Sequence, residues 1–298
     1  MKHESVLLNE CIENLNIKPD GIYVDATLGG AGHSLEIVKR LSSGLLVGFD
    51  QDEFAIKYAT DRLKGYNNFK IVKSNFKNLT KELNKLGINK IDGILFDLGL
   101  SSFQIDDRKR GFSYLDNYEL DMRMDQDLEV SAKDILNTYS LEDLTRIFRD
   151  YGEEKNAYQI ARKIINQRPI IMTSELVKIT DEVNFKVKGH SAKRVFQALR
   201  IEVNEELDVL NQALAQLNDL LNPGGRIVII TFHSLEDRIV KHYFKENSEV
   251  QIIKGMPIAI EPKPNYKLIN KKPIIPSEEE MKYNSRSRSA KLKVAEKL

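Results

Sequence analysis

The residues best suited to chemistry in this sequence lie in three short segments, each carrying an aspartate. The first is Asp25-Ala-Thr-Leu-Gly-Gly-Ala-Gly-His-Ser34, the second ends at Asp50, and the third is Asp97-Leu-Gly-Leu-Ser-Ser102. Glycines at 29, 30 and 32 permit positive φ and let backbone approach a ligand with no Cβ in the way. A helix opening directly after such a loop adds amide donors and the positive end of its dipole. Asp50 follows Gly32 by eighteen residues, at the end of an apolar run. A carboxylate placed there can accept both hydroxyls of an adenosine ribose. A glycine-rich turn and a strand-end aspartate are each common, but at this spacing they point together to a nucleoside cofactor.

The register of the loop narrows the choice. A dinucleotide fingerprint counted from Gly30 needs a third glycine where Leu35 stands, so room and donors for a pyrophosphate are missing. Asp25 would repel a pyrophosphate and suits a methionine ammonium, which makes S-adenosylmethionine the expected cofactor. Taken alone, Asp25 reads equally well as part of a tight turn with a buried helix cap. Asp97 ends another apolar run, where side-chain and carbonyl oxygens can hold an exocyclic amine whose lone pair is drawn into a base. It is the candidate catalytic residue, orienting that amine or holding the methionine end. Ser101 and Ser102 read equally as helix caps. The single cysteine, Cys11, can form neither an intrachain disulfide nor a zinc cluster, and no metal site is expected. Attack by an amine needs no covalent adduct, so Cys11 reads as structural.

The elements that must position these residues alternate. Apolar runs at 21–27, 44–50, 69–76 and 91–98 read as strands, and 33–41, 52–63 and 79–86 read as helices. Such alternation implies right-handed βαβ units around a parallel, doubly wound sheet. From 103 to 200 no buried strand stands out, and helical patterns recur at 131–137, 140–151, 153–167 and 174–183. The sheet pattern resumes with a leucine stripe from Leu207 to Leu221 and a strand at 226–233, followed by a helix at 234–244. Runs at 249–256 and 289–296 are candidate final strands, and 257–276, with five prolines, reads as a loop. The fold class is therefore α/β, a sheet domain formed by 1–104 and 201–298 and interrupted by an all-helical insertion at 105–200.

Composition sets the outer bounds. Hydrophobic residues make up 41% of 298 and charged residues 30%, enough to bury a sizeable core. No apolar run approaches the ~20 residues of a membrane span, and Glu4 and Glu10 break any signal-peptide core, so a soluble cytoplasmic protein is expected. The net charge of +1 hides a local asymmetry: 155–200 holds ten bases and three acids, whereas 115–154 holds twelve acids and four bases. Arg162, Lys163, Arg168, Lys186, Lys188, Lys193 and Arg194 are the candidates for phosphate contact. A solvated face balancing the acidic half accounts for the same pattern.

Nine segments then match one family in order: 3–8 (HESVLL), 23–34, 92–102, 110–113 (RGFS), 120–125 (LDMRMD), 151–154, 196–201, 232–238 (FHSLEDR) and 288–292. On these words the chain closely resembles the RsmH (MraW) family of bacterial small-subunit rRNA cytosine-N4 methyltransferases. The resemblance implies a Rossmann-like class I methyltransferase domain interrupted by a helical recognition domain. It also implies direct in-line methyl transfer to a decoding-centre cytidine of 16S rRNA in the small ribosomal subunit, and leaves a homodimer open. Carried over by position, the family's cofactor contacts fall on Ala31, Gly32, His33, Asp50, Phe76, Asp97 and Gln104. With that context the basic stretch reads as an RNA face. The chain departs from the family loop by lacking an arginine and by placing Ala31 where glycine is usual, so cofactor affinity is expected to change without loss of activity.

Overall fold

The computed structural model describes residues 5–101, 103–104, 107–185, 188–249 and 264–298. The chain forms two compact units, one made of Met1–Gly99 with Val209–Leu298 and the other of Leu100–Asp208.

The first unit begins with α1 (Leu8–Leu15) and then alternates β1 (Ile22–Asp25), α2 (Gly32–Val38), β2 (Leu45–Asp50), α3 (Glu53–Leu63), β3 (Phe69–Lys73), α4 (Leu79–Lys85) and β4 (Ile91–Asp97). In the second unit the helices are α5 (Ala132–Thr138), α6 (Leu141–Asp150), α7 (Ala157–Gln167), α8 (Thr173–Val183) and α9 (Lys193–Asn204). Helix α10 (Glu206–Leu220) leads back to the sheet, followed by β5 (Leu221–Thr231), α11 (Ser234–Ser248), β6 (Tyr266–Leu268), α12 (Glu278–Tyr283) and β7 (Lys291–Lys297). The division between Asp208 and Val209 falls inside α10.

The sheet runs β3-β2-β1-β4-β5-β7-β6. Strands β1 to β5 are parallel, and β7 lies antiparallel between β5 and β6. Strand order reverses at β1/β4, and in open α/β sheets a ligand crevice forms at such a switch, beyond the carboxyl ends of the strands. Asp25, Asp50 and Asp97 are the last residues of β1, β2 and β4. Side chains alternate between the two faces with period 2. Val24, Val47, Ile94, Phe96, Ile227 and Ile229 join Leu210, Leu214 and Leu217 of α10 in one core, whereas Tyr23, Leu46, Leu95, Val228 and Ile230 join Ile37 and Leu292 in another. Each such aliphatic chain contributes roughly 1.5–3 kcal/mol by leaving water.

Several expectations need correction. Strand β3 stops at Lys73, and Phe76 opens a one-turn 3-10 helix over Phe76–Asn78. Part of the expected loop at 257–276 pairs as β6, and the candidate strand at 249–256 lies almost wholly outside the described residues. Helix α9 has no counterpart among the helical patterns read from the sequence. Helix α7 starts at Ala157 rather than 153, because Glu154 Oε1 accepts from Asn156 N and holds the preceding turn. Among the described residues no helix is long and apolar enough to cross a membrane.

Candidate cofactor and catalytic site

Helix α2 opens without a side-chain cap, and the residue before it, Ala31, is fully buried at φ 53°. That left-handed conformation suits glycine and is costly for alanine. Its backbone is held by a hydrogen bond from Ala31 N to Leu28 O at 2.7 Å. Gly32 has a different reason to be glycine. A Cβ there would sit 1.9 Å from Ser5 Oγ, so the 5–8 segment packs directly on the loop backbone. His33 reinforces the closure, its Nε2 donating to Val6 O at 3.0 Å, and Arg62 Nη1 donates to Gly30 O at 2.5 Å.

The three strand-end carboxylates differ in how they are satisfied. Asp25 is buried, accepts from Ser34 Oγ at 2.6 Å and from Thr27 N at 3.2 Å, and is still pushed up to about 6 by burial. Asp50 accepts from Gly29 N at 2.8 Å and from Asp52 N at 2.9 Å, and burial likewise raises it to about 6. The backbone N–H of Gln51 also interacts with this carboxylate. Asp97 is the most perturbed, raised to about 8 by burial first, then by the charges of Asp25 and Glu236. Its backbone N–H donates to Thr27 Oγ1 at 2.7 Å, and His33 Nδ1 lies 3.7 Å from its Oδ2. Its Oδ1 is buried with no hydrogen-bond partner among the described residues.

An unpartnered, buried carboxylate oxygen is costly unless something else supplies a donor. Asp25 and Asp50, which receive no Lys or Arg among the described residues, add negative charge to the same strand ends. Both features fit a ligand that is cationic and carries N–H donors, as S-adenosylmethionine does, and neither fits a pyrophosphate. Phe76 meets Phe96 edge-on at 5.6 Å and is only partly buried, so its ring retains free surface beside β2 and β4.

The first unit thus brings together Asp25, Ala31, Gly32, His33, Asp50 and Asp97. Gln104 belongs to the second unit, where its Oε1 accepts from Ser101 N at 3.0 Å and its own N donates to Ser101 Oγ at 3.3 Å. Ser101 therefore has the geometry of a cap, and Ser102 lies outside the described residues. The sequence singles out the segments that hold Thr27, Ser34 and Glu236, but not the part these residues play in orienting or polarising the aspartates. Thr27 and Glu236 act on Asp97 and Ser34 on Asp25, pairings distant in sequence that no local periodicity reports. Cys11 is buried, and burial followed by nearby carboxylates, Asp97 foremost, pushes its thiol up, so it is a poor nucleophile.

On the second unit the basic candidates divide. Arg168 donates from Nε to Leu136 O at 2.7 Å and from Nη2 to Tyr139 O at 2.5 Å, so part of its guanidinium ties down carbonyls at the end of α5. Lys163 pairs with Glu182, and Lys186 lies outside the described residues. Arg162, Lys188, Lys193 and Arg194 are exposed and make no ion pair among the described residues.

Sequence relatives agree in one direction over nearly their whole length. The chain is 60% identical over 297 residues to "Ribosomal RNA small subunit methyltransferase H 1" of Acholeplasma laidlawii, covering 100% of this chain and 99% of the relative. It is 54% identical over 308 residues to "Ribosomal RNA small subunit methyltransferase H" of Finegoldia magna, covering 100% and 99%. The protein of the same name in Clostridioides difficile is 54% identical over 307 residues, covering 99% of each chain. A family model described as the MraW methylase family matches residues 1–298. With the glycine loop, the strand-end aspartates and this match in hand, the chain belongs to the MraW methylase family, S-adenosylmethionine-dependent enzymes.

Proposed function

We propose that this protein methylates the exocyclic N4 of a decoding-centre cytidine in 16S rRNA, acting on the small ribosomal subunit with S-adenosylmethionine as donor. The observation that carries this reading is Asp97 Oδ1, a buried carboxylate oxygen without a partner at the end of the central strand β4. The name shared by the relatives supports the substrate class. When bound, the cofactor supplies an electrophilic methyl group on a good leaving group. What remains for the chain is binding and alignment, which can supply much of a barrier reduction.

Asp50 accepts from the ribose hydroxyls, and the partly exposed face of Phe76 flanks the adenine. Asp97 holds one N–H of the bound reactants, either the target amine or the methionine ammonium. A carboxylate accepting from the amine N–H returns electron density to a nitrogen whose lone pair is otherwise delocalised into the ring. The target base must leave its stack to reach such a crevice. The exposed bases of the second unit hold the phosphates. Lys193 and Arg194 stand in the first turn of α9, whose N-cap Ala192 supplies no side-chain acceptor. A helix dipole disfavours cations there, a cost that a bound phosphate relieves.

Unmodified small subunits incubated with methyl-labelled cofactor and then digested to nucleosides test the proposal. Label in N4-methylcytidine supports it, and label confined to another nucleoside or to protein overturns it. Asp97→Ala is expected to abolish transfer while leaving the circular dichroism spectrum unchanged.

A further inference from the structure

A second cleft, of about 320 Å³, opens in the first unit beside the ends of β5 and β7. It is at the small end of ligand sites, which run about 300–1,000 Å³. Phe232, Pro276 and Met281 supply apolar walls, and Arg288, Lys291, Ser234 and Ser289 supply donors. Among the described residues that line it, two are cationic and none is acidic. Lys291 is partly neutralised by Asp237, 3.3 Å away, whereas Arg288 is exposed and makes no ion pair among the described residues.

His233 supplies an independent sign. Its Nδ1 accepts from Glu236 N at 3.4 Å, so in the neutral ring the proton sits on Nε2. That Nε2 is buried, in a side chain only 9% exposed, and has no hydrogen-bond partner among the described residues, although Glu236 Oε1 lies 3.1 Å away. A buried donor that meets its carboxylate neighbour only at poor alignment keeps hydrogen-bonding capacity, and His233 lines this cleft. Apolar walls, an exposed guanidinium and an imidazole N–H without a well-aligned acceptor suit an aromatic base carrying an anionic phosphate.

We infer that this cleft receives a nucleotide of the RNA next to the one being modified, with its base against Phe232, Pro276 and Met281 and its phosphate on Arg288. This rests on the RNA substrate proposed above. The location follows from the sheet. Asp97 pairs in register with Ile230, and Thr231 pairs with Lys291, so cleft and catalytic aspartate occupy adjacent strand ends roughly 5 Å apart per strand. Neither the glycine loop nor the strand-end carboxylates contribute to the cleft, so it is separable from cofactor binding.

The test uses full-length protein with 13C-methyl methionine, the Met281 resonance being assigned through Met281→Leu. Cytidine 5′-monophosphate should shift the Met281 methyl through the ring current of its base, and inorganic phosphate should not. Arg288→Ala should abolish that shift, weaken binding of unmodified small subunits roughly tenfold and lower the salt slope by about 1. Cofactor affinity should be unchanged. A Met281 methyl that never moves, an equal response to inorganic phosphate, or unaltered subunit affinity in Arg288→Ala would each overturn the inference. Failure of the rRNA reading is distinguishable: wild-type protein would then fail to label small subunits while Met281 still responded to the nucleotide.

Discussion

Asp97 is held in a state that its ligand must change. Burial and the charges of Asp25 and Glu236 raise it to about 8, so near pH 7 the empty site retains its proton. A bound cation favours the ionised carboxylate and expels that proton. Cofactor affinity should therefore rise with pH up to about 8 and level off above it. Calorimetric titrations at pH 7 in two buffers of different ionisation enthalpy should reveal proton release, and a pH-independent affinity without release would count against the assignment. Stability runs the other way. A carboxyl whose folded-state pKa is raised contributes stability below its unfolded value, and loses it as pH climbs through about 8. Asp97→Asn should raise the Tm of the ligand-free protein at pH 8–9 by a few degrees, with little change near pH 4. The same variant separates the two roles of Asp97. Weakened cofactor binding would mark the methionine end, whereas intact binding with a collapsed kcat would mark the amine. Gly32→Ala is a steric counterpart. Its Cβ must displace Ser5, and weaker cofactor binding with faster amide exchange around residues 5–8 is expected.

At the scale of elements, β1, β2 and β4 are legible because a buried parallel strand is a near-continuous apolar run ending where the chain turns polar. The glycine loop is legible because glycines cluster there. Phe76 reads as strand because an apolar residue returns after Ser74 and Asn75, yet Asn75 accepts from Lys77 N and starts a 3-10 turn. Strand β6 hides among prolines, since three residues carry no period. Arg168 looks like its basic neighbours until long-range carbonyls claim it, and the orphan oxygen of Asp97 has no sequence signal at all. Helix α9 shows what an element adds to a charge count, because it places Lys193 and Arg194 against their own dipole. Replacing both with alanine should stabilise the free protein slightly, by about 0.3–1 kcal/mol per charge. The same change should weaken small-subunit binding and reduce its salt slope by about 1 for each phosphate no longer held. An unchanged slope would return the basic stretch to a solvated face.

The two units differ in how the chain builds them, and this bears on how the protein could have been assembled. The sheet unit is discontinuous, with β5 and β7 supplied from beyond residue 209. The helical unit is a single stretch, Leu100–Asp208, with its own core of Leu136, Leu144, Ile147, Phe148, Ile160 and Leu199 among others. Near the end of that stretch, Asn204 is tied to the segment before α5: its Oδ1 accepts from Met124 N at 2.7 Å, and its Nδ2 donates to Met122 O at 2.8 Å. A continuous segment of domain size with its own core should fold alone. Expressed by itself, 100–208 is expected to be helical and to melt cooperatively. If the exposed bases hold phosphates, it should bind small-subunit rRNA with a steep salt dependence and show no affinity for S-adenosylmethionine. A fragment lacking a cooperative transition would mean that the insertion depends on the sheet unit for its fold. A folded fragment indifferent to RNA would move substrate recognition to the rim of the sheet, where Arg288 and His233 lie.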